Sequence, residues 1–425
     1  MLLVALLAAN CGRPSRPNVL LLVMDTTRAD RCSVTGYGRP TTPCLEDFAR
    51  DAVVFDDAWT PGGWTGPAHA TLFTGLRPER HGFTVGDRSY LDTRAPTLAE
   101  TLRGAGWDTA CFTNNEFVSP AFGLVRGFSA FEPLYAREDR PRPWARETHE
   151  RAAGWAEATH RAGRPFLLFV NDMEPHFPFQ PPPEDWARFR RNPAEAVDLA
   201  DVNGRMRRDA IPYSLGRAEV PAPVLNAVSD LYDTEIAVMD REIGALLDRL
   251  RATGLLDETI VVVVGDHGES LGEHHLLGHG YDLHRTIAHV PLIVRYPGAF
   301  DGGRVEHAVV RLEDVPATIL ELCGVDAPQG IDGVPLTRDL GGRVALTDQP
   351  ANDGVRSFLE EKVPGADGSR LAAGTASVYD GAFHLLAYTD GRRELYDVRR
   401  DPLERDDLAL RDPYTVARLL SLRRR

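Results

Sequence analysis

Long apolar runs, repeats, metal-type cysteine patterns and excess positive charge are all missing from this chain, and each shortage narrows what it can be. The most apolar stretch, MLLVALLAA from Met1 to Ala9, falls far short of the roughly 20 residues that a membrane-spanning helix needs. No heptad run, Gly/Ser tract or internal repeat occurs, so coiled coils, flexible linkers and solenoids are excluded. The cysteines, Cys11, Cys32, Cys44, Cys111 and Cys323, include no C-x-x-C pair and no His/Cys metal pattern. Buried free thiols are therefore expected, although export would permit a Cys32–Cys44 bridge. A net charge of −14 and a pI near 5.4 argue against nucleic acid or an anionic membrane surface as a partner.

What is present is enough for a large core. With 425 residues, 43% of them hydrophobic, the chain can build one big domain and a smaller one. Residues 1–16 are different in kind: an apolar run, then Asn10, Cys11 and Gly12, then a polar, Pro-rich stretch. This reads as a secretory or lipoprotein-type signal with Cys11 as the lipid-bearing residue, which predicts an exported protein, periplasmic or extracellular. The alternative is a buried first strand or a frayed end.

Two apolar runs closed by an acid set the architecture. Val19–Met24 ends at Asp25, and Ile260–Gly265 ends at Asp266. Continuous runs of this length suit strands buried on both faces, as in a parallel sheet between helices. Phe166–Val170 and Pro291–Arg295 read the same way. Helical patterns at Pro96–Arg103 and over 225–252 alternate with them, giving an α/β, doubly wound, mostly parallel sheet. Ligand sites in such sheets lie beyond the carboxyl ends of the strands, so Asp25, Asp172 and Asp266 should converge on one edge. Residues 17–349 are read as the catalytic domain, with Pro- and Arg-rich 177–222 an irregular insertion over the site. Short alternating runs split by Asp380-Gly381 and Asp390-Gly391 mark 350–425 as a small antiparallel subdomain ending in a helix.

Asp25, Asp266 and His267 offer two carboxylates and one imidazole, and Thr65 a hydroxyl. That donor set favours one hard or borderline divalent cation: Ca²⁺, Mg²⁺, Mn²⁺ or Zn²⁺. Pro67 predicts that a helix begins near Thr65. An ester anion at that position would meet the positive end of the helix, and an adjacent metal would make Thr65 a usable nucleophile.

Several motifs stand in an order that resembles the sulfatase branch of the alkaline-phosphatase superfamily. They are NVLLLVMDTTRAD from Asn18, TGPAHATLFTG from Thr65, Met173-Glu174-Pro175-His176, VGDHGESLGEH from Val264 and Gly278-His279-Gly280. The resemblance implies a sulfatase-like fold, metal ligands at Asp25, Asp266 and His267, and a nucleophile at Thr65. It implies that His69, His81, His176 and His279 grip the anionic group or move protons. Thr26 falls where such enzymes often keep a second Asp ligand. Sulfatases oxidise a Cys or Ser at the position of Thr65 to formylglycine, but the β-methyl of threonine allows only a ketone, so no formylglycine is expected. Relatives that use Thr directly act on phosphate esters. The expected partner is a small-molecule, glycan or lipid ester. Phosphate is favoured, sulfate stays open, and a non-catalytic binding protein is the alternative.

Overall fold

The computed structural model describes residues 16–84, 89–91, 94–137, 140–192 and 197–423. The apolar run at Met1–Ala9 and the lipid-bearing role expected of Cys11 lie outside the described residues. In chain order the strands are β1 (Asn18–Met24), β2 (Val53–Trp59), β3 (Asp108–Thr113), β4 (Ala130–Pro133), β5 (Phe166–Asp172) and β6 (Thr259–Gly265). Next come β7 (Ser270–Leu271), β8 (Leu277–Gly278), β9 (His289–Arg295), β10 (Arg304–Glu306) and β11 (Val310–Arg311). The main sheet runs β10-β2-β9-β6-β1-β5-β3-β4, with β11 also on β2. Its described pairs are parallel except the two made by β9, which runs against both β2 and β6.

The central strands are buried along their whole length because both sheet faces are covered. Side chains alternate across a strand, and in β1 the two sets enter two different cores. Leu20, Leu22 and Met24 pack with the long helix Ala222–Ala252, through Leu231, Ile236, Met239 and Ile243. Val19, Leu21 and Val23 pack on the opposite face with Ala68, Leu72 and Phe73 of the helix Thr65–Thr74. Each fully buried Leu or Val contributes about 1.5–3 kcal/mol of transfer free energy. That suffices to fix the register of β1 between β5 and β6. The acids that follow β1 and β6 are thereby held side by side at the carboxyl edge.

Two expectations need correction. Residues 177–222 are not irregular: they contain the helices Pro183–Phe189 and Leu199–Ser214. The small antiparallel sheet also begins before residue 350, with β12 (Ala345–Gln349), followed by β13 (Thr375–Tyr379), β14 (Phe383–Tyr388) and β15 (Arg393–Asp397). Gly381 and Gly391, at φ +88° and +94°, make the two tight turns of that sheet. The helix Pro413–Leu422 closes it through Val416 and Leu419. Cys32, Cys44, Cys111 and Cys323 are free thiols.

The small sheet is locked to the large domain by a buried chain of charges. His284 faces Asp282 Oδ2 at 2.7 Å through Nδ1 and Glu394 Oε2 at 3.0 Å through Nε2. The ring of His274 stacks on His284 at 3.6 Å between centroids. Nearby, Glu404 accepts from His384 and from the Arg285 amide, and His384 Nε2 lies 2.6 Å from Ser377 Oγ. Burial opposes charge on His284, but its two carboxylate partners outweigh that and push it up to about 10. Burial likewise opposes the charge of Glu394, yet His284 brings it down to about 2.

These directions fix the pH window. The group with the raised value stabilises the fold fully below the ordinary histidine value of about 6.5 and loses that effect as pH climbs to about 10. Glu394 contributes above the ordinary glutamate value of about 4.3 and stops contributing as pH falls to about 2. His284→Gln takes the cation from two carboxylates, leaving Glu394 only the hydroxyls of Tyr388 and Tyr396, and is expected to cost about 3 kcal/mol near pH 6. Urea midpoints of the variant and the wild type should converge toward pH 10. A gap that ignores pH would show that His284 acts by packing alone.

Candidate metal centre and active-site cleft

Asp25 and Asp266 leave β1 and β6 at neighbouring positions, and both are fully buried. Asp25 Oδ2 accepts from Asn115 Nδ2 at 2.7 Å and from Asn171 Nδ2 at 3.2 Å. Asp266 Oδ1 accepts from the amides of Thr26 at 3.0 Å and His267 at 2.8 Å. The other oxygens, Asp25 Oδ1 and Asp266 Oδ2, are buried with no hydrogen-bond partner. Burial and the neighbouring Asp25 hold the Asp266 carboxyl well above the usual carboxylate range. Two buried carboxylates with one bare oxygen each form an acceptor pair that suits a cation.

The imidazole completes the set. His267 Nδ1 donates to Gly268 O at 2.9 Å, which leaves Nε2 with a free lone pair. Ligand atoms of Asp25, Asp266 and His267 all lie within 4.8 Å of one another. Burial, helped by the neighbouring His279, holds His267 well below the usual imidazole range and so keeps it neutral, as a ligand must be. The residues fit a divalent cation. The turn that aims His267 needs glycine next to it, since a Cβ on Gly268 would come within 1.9 Å of the Thr286 carbonyl.

Thr65 is the first residue of its helix and is 3% exposed. Its Oγ1 lies 3.3 Å from His267 Nε2 and 3.5 Å from Asn115 Nδ2. Only glycine is accommodated at position 66, because a Cβ there would approach the Phe83 ring to 2.3 Å. The hydroxyl therefore stands between the carboxylate pair and an open cleft of about 290 Å³. His176 and His279 line that cleft with Thr65, their rings 5.3 Å apart. His279 Nδ1 is 3.1 Å from Glu269 Oε1. Burial works against a charge on His279, but the Glu269 carboxylate prevails and raises it above the usual imidazole range.

Three sequence-derived candidates do not line this cleft. His69 does not line the cleft: its ring is fully buried, with Nδ1 donating to Thr65 O at 3.0 Å and lying 3.4 Å from Asp266 Oδ2. His81 stands apart from the site. Its Nε2 pairs with Thr71 Oγ1 at 3.2 Å and its Nδ1 accepts the Phe83 amide at 3.0 Å, and burial brings it down to about 3. Thr26 turns its hydroxyl onto the Asp25 carbonyl at 2.8 Å, with φ +53°, and offers the site only its amide.

Asp172 also departs from the expected convergence. Successive residues of β5 point to opposite faces, so Asn171 reaches Asp25 while Asp172 pairs with His149 Nε2 at 2.8 Å. Sequence reasoning missed Asn115 altogether. Its position, two residues beyond the end of β3 on the same sheet edge, was the available signal.

A family model for sulfatases matches residues 17–325. The chain belongs to the sulfatase family. A second model, the C-terminal region of N-sulphoglucosamine sulphohydrolase, matches residues 272–420. Among relatives, an N-acetylglucosamine-6-O-sulfatase of Bacteroides thetaiotaomicron is 24% identical over 79% of this chain and 73% of its own length. A multifunctional alkaline phosphatase superfamily protein of Trinickia caryophylli is 27% identical over 75% of this chain and 76% of its own. The solved phosphonate monoester hydrolase of Agrobacterium radiobacter superposes with a TM-score of 0.72 at 22% identity, covering 96% of this chain and 94% of that one. The present protein is thus a sulfatase-family ester hydrolase, and members of that family use a divalent metal ion. Among the described residues no helix is long and apolar enough to cross a membrane.

Asn115 holds Asp25 in place from outside the candidate ligand set, a position whose loss typically weakens metal binding about 10–100-fold where such a set holds its metal. Calorimetric titration of EDTA-treated Asn115→Ala with Mn²⁺ should show a loss in that range. An affinity equal to wild type would remove Asn115 from the support of Asp25.

Proposed function

We propose that the protein is a metal-dependent phosphoester hydrolase or transferase that uses Thr65 as its direct nucleophile. The observation that carries this reading is the placement of Thr65 Oγ1. It sits at a helix N-terminus, 3.3 Å from His267 Nε2, where the cleft meets the carboxylate pair. A divalent ion held by Asp25, Asp266 and His267 would supply Lewis acidity and lower the pKa of the neighbouring hydroxyl.

The residues of the chain divide the remaining work. The amide groups at the start of the helix Thr65–Thr74 stabilise the anionic oxygens of the ester. Thr65, as its alkoxide, bonds through Oγ to phosphorus as the bond to the leaving alcohol breaks, and His279, whose hold on a proton Glu269 strengthens, gives that proton to the departing oxygen. Water then releases phosphate from Thr65, with His279 taking back a proton. The acceptor is an alcohol instead of water if the enzyme is a transferase.

Chemistry favours phosphate over sulfate. A formylglycine hydrate expels sulfate by collapsing to its aldehyde, and Thr65 has no such exit. Family membership supports the second reading, sulfate-ester hydrolysis by the same Thr65. The apolar run at Met1–Ala9 supports an exported enzyme.

Turnover of 4-nitrophenyl phosphate, bis(4-nitrophenyl) phosphate and 4-nitrophenyl sulfate should be compared with added Mn²⁺, Ca²⁺ or Zn²⁺. Thr65→Ala is expected to lose about a thousandfold or more in kcat while still binding metal. Retained turnover in Thr65→Ala would end the nucleophile assignment, and Thr65-dependent cleavage of the sulfate alone would overturn the phosphoester preference.

A further inference from the structure

Unpartnered buried groups in and beside the cleft sort by sign. At the candidate metal centre the bare atoms are acceptors, Asp25 Oδ1 and Asp266 Oδ2. On the walls they are donors: Trp64 Nε1, and Nε and Nη1 of Arg142. A buried N–H left unpaired costs free energy, and a charged one costs more. Binding surfaces keep such donors when the ligand completes them.

Arg142 is placed to read a ligand. Its guanidinium lies over the Trp144 ring at 3.6 Å from the centroid. Its only hydrogen bond among the described residues is a long one, from Nη2 to Pro178 O at 3.4 Å. Two acids stand behind it, and neither takes its N–H groups. Glu174 spends its oxygens on the amides of Ala145 at 2.7 Å and Met173 at 3.2 Å. Glu235 accepts the Gln180 amide at 2.6 Å, and burial pushes it up to about 8, so it is largely uncharged at neutral pH. Glu116 also lines the cleft but is exposed, and its charge is screened by water. Four aromatic rings, those of Trp64, Phe117, Tyr135 and Phe177, stand in the walls beside Met173 and Pro178. Aromatic walls take planar rings or the apolar faces of sugars.

We infer that the cleft selects esters whose alcohol part is a six-membered ring with a face to stack, aryl or pyranose, carrying a second acidic group that Arg142 binds from its seat on Trp144. This rests on the ester-hydrolase reading above and names the leaving group for that site. A planar fork reads a carboxylate through two parallel N–H bonds, which an ammonium or amide cannot copy.

The test is a pair of leaving groups. Wild type, Arg142→Gln and Arg142→Lys would be assayed on 4-nitrophenyl and 2-carboxy-4-nitrophenyl esters, as phosphates and as sulfates. The readout is the ratio of kcat/KM between the carboxylated and the plain ester. Taking a ratio cancels differences in metal loading and in folded fraction between variants. Arg142→Gln is expected to lower that ratio about tenfold or more, with Arg142→Lys in between. An equal ratio in all three proteins overturns the inference. Binding of the product 5-nitrosalicylate, against 4-nitrophenol, gives an arm that needs no turnover. If no ester is cleaved by any variant, the catalytic reading fails. Arg142-dependent binding of 5-nitrosalicylate would still support the acid pocket, and equal binding by wild type and Arg142→Gln would refute it.

Discussion

The structure turns on two carboxylates kept out of water, with a single neutral imidazole, His267, between them and the Thr65 hydroxyl. Removing a carboxylate from water costs several kcal/mol even after relaxation, and here two such groups share one pocket. Partial compensation comes from amides: Asn115 and Asn171 on Asp25, the backbone of Thr26 and His267 on Asp266. Each acid nonetheless keeps one bare oxygen, and ligand atoms of the two acids and His267 lie within 4.8 Å of one another. The hydrophobic sheet makes this arrangement tolerable, because β1 and β6 are too well packed on both faces for either acid to retreat.

Much of this was legible in the chain. A run of buried-strand residues closed by an acid has few readings, and two such runs locate Asp25 and Asp266 on the same sheet edge. The partners were harder to see. Asn115 and Asn171 contact Asp25 across 90 and 146 residues of chain. An asparagine after a strand is more often a turn residue than a support for a ligand. The surroundings of two histidines were hidden for a related reason. His69 and His81 stand in family motifs, yet His69 lies 3.4 Å from Asp266 and His81 bonds to Thr71 and Phe83.

The stretch 177–222 shows the limit of periodicity. The helix Leu199–Ser214 buries only Val202, Met206, Tyr213 and Ser214, and it carries Pro212 inside its last turn. So thin an apolar stripe gives little signal, and packing against the rest of the protein decides the conformation instead. The C-terminal sheet was easier, because Asp-Gly turns specify hairpins locally. Its attachment to the large domain through His284 and Glu404 joins residues more than a hundred positions apart, as in the His284–Glu394 pair, and left no local trace.

Thr65 carries a consequence for how the protein comes into being. A side chain destined to become an aldehyde must be converted by a second enzyme before folding shuts it away, and Thr65 is 3% exposed once the helix has formed. Threonine cannot undergo that conversion. On the function proposed above, the reacting group leaves the ribosome in its final chemical form and needs no maturation enzyme from the host cell.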